Sequence, residues 1–192
     1  MKLRLAKLGL LSVLVGLLAQ TAVMGIAHSD LFGCNGCHTP HNADSLPGVP
    51  LWNGLQTKTT FTMYSSASFQ GTTDGQPSGN SRLCLGCHDG TNPAFSWISA
   101  EHVFGATGLT ASHPISFVYD SGLAALDGAL KDPSQPSTLG GTISQDLLDG
   151  ESKVQCASCH DIHSSGVGDK LLRGYDYGNG SGPDLCRMCH LK

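Results

Sequence analysis

The sequence predicts a mostly irregular chain with a few short helices and minimal strand, and three observations predict it. The chain is rich in turn formers, with 25 glycines, 9 prolines and long Ser/Thr/Gly/Asn stretches. All 8 cysteines fall in four Cys-x-x-Cys-His sequences. The 192 residues less a 27-residue leader leave 165, about 41 for each of these motifs, which is too few to wrap a conventional apolar core around each.

Taken in order, residues 1–27 read as an export signal. Lys2, Arg4 and Lys7 form its positive end, Leu8 to Ala19 its apolar stretch, and the small Gly25 and Ala27 suit cleavage before His28. The apolar run is short and Gln20 and Thr21 follow it, which argues against an uncleaved anchor. No later stretch is long enough to span a bilayer, so the mature chain is expected to have no membrane span. Cys34 comes seven residues past Ala27 and belongs to a motif, which argues against lipid attachment.

The remaining elements are few. Thr72 to Ser81 and Tyr175 to Asp184 read as loops. Helices are expected at Gly122 to Leu130, opened by Ser121 and closed before Pro133, and at Gln145 to Leu148, opened by Ser144. Ile115 to Tyr119 has the composition of a brief strand.

The four motifs are Cys34-Asn-Gly-Cys37-His38, Cys84-Leu-Gly-Cys87-His88, Cys156-Ala-Ser-Cys159-His160 and Cys186-Arg-Met-Cys189-His190. Such a sequence attaches a c-type haem: the two thiols form thioethers with the porphyrin, and the histidine is delivered to one face of the iron. The cofactor expectation is therefore four covalently bound haems, with haem itself organising the fold as in a multihaem cytochrome c. Trp52, Phe61, Phe69, Trp97, Phe117 and Tyr119 are the expected lining. All eight cysteines are used, so none remains for disulfides. Four identical Cys-x-x-Cys-His units in an exported chain, with no cysteine left over, argue against zinc sites.

The first motif of each half carries an extra histidine, as His38-Thr-Pro-His41 and His160-Asp-Ile-His163, and the second does not. This reads as one duplicated two-haem unit, about 28–92 and 150–192, within a single domain over 28–192. The segment joining the two carries His102 and His113.

Five histidines lie outside the motifs: His28, His41, His102, His113 and His163. Four irons with histidine on both faces need four of them. Saturated irons leave no open position for a substrate, which favours electron transfer over catalysis. Three residues of chain span about 10 Å at most, too little to carry His41 around the first haem, and Thr39 before Pro40 favours extended backbone. His41 is thus expected on the second haem and His163 on the fourth. His113 is expected on the first or third, and His102 and His28 compete for the last place. Met63 and Met188 read as packing residues rather than ligands.

The formal charge is −4; without the leader's three basic residues, 8 remain against 15 acidic ones, or −7. That argues against nucleic acid and anionic lipid as partners.

The strings Cys37 to Ala43 (CHTPHNA), Cys84 to Thr91 (CLGCHDGT), Ser112 to Phe117 (SHPISF) and Val154 to His163 (VQCASCHDIH) resemble those of multihaem cytochromes with doubled CxxCH motifs. With four motifs, a leader and no lipid anchor, the chain is similar to OmcE-type extracellular cytochromes. That resemblance implies bis-histidine haems in a closely spaced row, polymerisation with other copies of itself, an axial histidine crossing between subunits, and external electron acceptors. It places the protein outside the cell or at its surface rather than in the periplasm. A monomeric periplasmic carrier serving a redox partner protein has the same haem chemistry. A multihaem reductase would need an iron with an open position.

Overall fold

The computed structural model describes residues 28–46, 48–163, 171–174 and 184–191. The predicted leader and most of the predicted loop at 175–184 lie outside the described residues. Within them the fold class is as expected: short helices, two small strand pairs and much coil. The helices are α1 (His28–Phe32), α2 (Gly79–His88), α3 (Ser121–Asp127), α4 (Ile143–Leu147), α5 (Cys156–Cys159) and α6 (Asp184–Cys189). Strand β1 (Asp44–Leu46) pairs antiparallel with β2 (Val49–Trp52), and β3 (Phe117–Val118) with β4 (Lys153–Val154). Among the described residues no helix is long and apolar enough to cross a membrane.

The local chemistry explains where each element starts and stops. Asp120 Oδ1 accepts from Leu123 N at 2.8 Å to open α3, and Gly128, at φ 70°, closes it with its N–H on Ala124 O. The predicted helix to Leu130 is thus cut short by a left-handed glycine stop. In α4, Thr142 and Gln145 form a reciprocal capping box, so the helix opens at Ile143 rather than after Ser144. The predicted strand at 115–119 shrinks to two residues because Ser116 adopts φ 58°, outside the extended region.

The predicted loop over 72–81 is corrected at its end, where Gly79 to Ser81 form the first turn of α2. Asn80 and Ser81 would ordinarily compete with their own backbone. Here both side chains point outward to another segment: Asn80 Oδ1 accepts from Ala157 N, and Ser81 Oγ accepts from Cys156 N.

The apolar residues gather in two clusters. The larger joins Phe117, Tyr119, Leu123, Ile143, Leu147 and Val154 of the middle segment to Leu185 and Met188 of α6. Ile143 is fully buried, which stabilises by about 1.5–3 kcal/mol relative to exposure. The smaller contains Phe61, Leu85 and Leu109, with Met63 packed against it. Polypeptide therefore supplies more of a core than the residue count per motif suggests. Of the six expected lining aromatics, Trp52, Phe61, Phe117 and Tyr119 are buried and Phe69 packs against the larger cluster. Trp97 is 60% exposed. It follows the surface turn Pro93–Phe95, donates to Ala94 O and tilts against the Phe32 ring, with centres 5.6 Å apart.

One buried side chain ties the halves together. Gln155 Oε1 accepts from Ser81 Oγ at 2.6 Å and from Ser116 Oγ at 3.0 Å, while its Nε2 donates to Ser78 Oγ and Asp149 Oδ2. This clamp seats α5 against α2, and with it the third motif against the second.

Candidate haem-binding site

Each motif is one helical turn or a tightened version of it. The histidine N–H of the first, third and fourth motifs donates to the carbonyl of the first cysteine, His38 to Cys34 at 2.9 Å, His160 to Cys156 at 3.0 Å and His190 to Cys186 at 2.9 Å. The second lies wholly within α2. On such a turn, residues i, i+3 and i+4 share one side, so both thiols and the imidazole of each motif serve a single face. The spacer in α2 is a glycine for a separate reason. A Cβ on Gly86 would meet Gln56 N at 3.2 Å and Leu55 Cγ at 3.2 Å, where residues 55–56 cross the helix.

All eight cysteines are free thiols. Burial pushes Cys87, Cys159 and Cys189 up to about 11 and raises Cys37. Cys84 donates its hydrogen bond to Cys156, which raises the former and lowers the latter. The charges that these thiols would carry also report proximity. Cys37 acts on Cys87, Cys84 pairs with Cys156, and Cys159 and Cys186 act on one another's motif. The four motifs form one contiguous array.

Three of the histidines, two of them in motifs, are set for ligation by their tautomers. His38 Nδ1 lies 2.7 Å from Pro50 O, His88 Nδ1 2.7 Å from His102 O, and His113 Nδ1 2.9 Å from Pro114 O. A carbonyl only accepts, so each Nδ1 carries the proton and each Nε2 presents a lone pair. Free paired thiols, a shared face and an unprotonated Nε2 are what a covalently attached, histidine-ligated haem requires. Cys34, Cys37, Cys84, Cys87, Cys156, Cys159, Cys186 and Cys189 would hold the porphyrins, and His38, His88, His160 and His190 would ligate the irons. When bound, haem supplies one-electron chemistry at its iron.

The structure places His41, His163 and His113 differently from the pairing expected above, and of the competing His28 and His102 it sets the His28 ring beside a motif histidine. His163 faces His38, with ring centres 6.3 Å apart, rather than the fourth motif. The Gln155 clamp lays the two halves side by side, so the imidazole nearest the first motif comes from the other half. His28 meets His88 at 6.0 Å, in the place expected for His41. Its backbone N–H donates to Ile162 O, which anchors α1 beside the third motif. His113 meets His190 at 6.4 Å, where the expectation was the first or third motif. The middle segment carries it there, since Leu130 bridges to His190 and Lys131 N donates to Cys189 O.

His41 is exposed, and among the described residues its imidazole has no hydrogen-bond or ring partner. His102 offers its carbonyl to His88, while its own Nδ1 lies 2.9 Å from Ser99 Oγ. His28 is held below its ordinary pKa by burial and then by the neighbouring His88, His160 and His163, which favours its neutral, ligating form. Sequence reasoning missed the orienting carbonyls of Pro50 and His102 and the clamp at Gln155, Ser81 and Ser116. Backbone acceptors carry no side-chain signal, and Gln155 directly before a motif reads as an ordinary polar residue.

No curated protein sequence matches the chain. Residues 150–192 match the family model of the doubled CXXCH motif, a feature of multihaem c-type cytochromes that indicates covalently bound c-type haem and electron transfer.

Proposed function

We propose that the protein is an extracellular electron conduit, a subunit that carries four c-type haems with histidine on both faces and polymerises with copies of itself into filaments. The observation that carries this reading is the proximity of the four haem-attachment turns: Cys84 hydrogen-bonds Cys156, and Cys37 and Cys186 lie within electrostatic reach of Cys87 and Cys159. Closely spaced haems pass electrons between themselves, and the five histidines outside the motifs are enough to give each of four irons a sixth ligand in place of an open substrate position. Electron transfer is thus favoured over catalysis. The filament, the removal of residues 1–27 on export and the external acceptors follow from the resemblance to OmcE-type cytochromes.

Cryo-electron microscopy of the secreted, haem-loaded protein tests the reading. Filaments with a continuous row of haems are expected. Discrete monomers with four internally ligated haems would overturn the filament and make the protein a diffusing carrier. High-spin ferric iron in the oxidised protein would instead point to an open catalytic position.

A further inference from the structure

We propose that three imidazole pairs each bracket one haem iron: His163 completes the first haem opposite His38, His28 the second opposite His88, and His113 the fourth opposite His190. The assignment rests on the reading of attached haems above and adds which side chain completes which iron.

The ring separations carry it. Metal–imidazole bonds are about 2.0 Å long and a ring nitrogen lies about 1.1 Å from its ring centre, so two imidazoles on opposite faces of one iron stand about 6.2 Å apart. The three pairs lie at 6.0, 6.3 and 6.4 Å. Each joins one motif histidine to one histidine from elsewhere in the chain, which is the sorting that two faces of an iron demand. Three of the six rings have Nδ1 fixed by a backbone carbonyl, leaving Nε2 free to face a metal.

His28 adds an independent observation. Its Nδ1 is buried and has no hydrogen-bond partner. A buried polar group left unpaired costs about 1–3 kcal/mol, and no polar contact of that nitrogen explains why the ring is inside. An iron held between this nitrogen and His88 would supply the missing partner. The pairing also joins the halves at the metal: the first iron takes one ligand from residue 38 and the other from residue 163.

The ring planes give each pair a signature. The His38 and His163 planes are 21° apart, whereas those of His28 and His88 are 69° apart and those of His113 and His190 76° apart. Low-spin ferric haems with near-parallel axial imidazoles give rhombic electron paramagnetic resonance spectra. Near-perpendicular ones give a single strong signal at large g. The oxidised protein should therefore show at least one rhombic signal and at least two large-g signals; fewer than two of the latter would overturn the assignment.

The decisive experiment uses the full haem-loaded chain. Intact mass first counts the haems, and a count below four sinks the underlying reading of four haems, whatever the pairing. His28→Met should retain every haem, introduce a methionine-to-iron charge-transfer band and raise one potential. Both changes should vanish when Cys84→Ala and Cys87→Ala remove the second haem. A band that persists in that background, or a His28→Met protein with unaltered spectra, overturns the pairing. Should the combined variant fail to fold, a structure of the haem-loaded wild type decides. An iron attached through Cys84 and Cys87 whose second axial ligand is any residue but His28 would refute the assignment.

Discussion

Gln155 is 1% exposed, and both ends of its amide are used twice. Truncation would leave the fully buried Ser81 and Ser116 hydroxyls without an acceptor for their protons, although each still accepts a backbone N–H. Gln155→Ala is expected to destabilise the haem-loaded protein by about 2–4 kcal/mol, since each stranded group costs about 1–3 kcal/mol; denaturant unfolding measures it, and a loss under 1 kcal/mol would show the clamp to be incidental. Asp89 is the matching case for a charge. Burial pushes its carboxyl up, but donors from Thr57, Thr91 and Thr59 outweigh that and hold it below the ordinary carboxylate range. A depressed folded value contributes stability that is present above the unfolded pKa of about 3.9 and lost as pH falls through the folded value. Asp89→Asn should lower stability at pH 7 and remove this part of the acid sensitivity below about pH 4. Equal acid limbs in the two proteins would contradict it. At this scale the sequence was legible where residues act through covalent chemistry: every cysteine and motif histidine announces itself. Partners that depend on what folds alongside were not. His163 was expected beside the fourth motif and lies beside His38 instead, because pairing depends on how the halves meet.

Among the elements, α4 shows what local signals can do. Thr142 and Gln145 spell a capping box, and Ile143 and Leu147 fall one turn apart on the buried face. Ile143→Ala should cost about 2–5 kcal/mol by thermal or denaturant unfolding, the range for a large buried aliphatic; a near-neutral result would mean that the cluster collapses around the gap. Helices α3 and α4 were readable because their caps lie within a few residues of their ends. The beginning of α2 was hidden, because TTDGQPSGNS has a loop composition and its last three residues become helical through partners on α5, more than 70 positions away. The strand at 115–119 was overread for a related reason: composition cannot reveal the left-handed Ser116 inside it.

At the scale of the whole molecule, sequence reasoning foresaw four similar turns in a largely irregular chain. It did not foresee that the middle segment, beyond spacing two units apart, builds the larger apolar cluster and delivers His113 to the last motif. The count of residues per motif treated the chain as evenly shared, whereas packing concentrates it. The Gln155 clamp also has a meaning in time. Ser81 and Gln155 are separated by 74 positions, so the loop they close carries an entropic cost that is met only after the later residue has been made. Until the third motif exists, the buried hydroxyl of Ser81 has neither Gln155 nor Cys156 to bond, so the two halves meet only after the later one has been made.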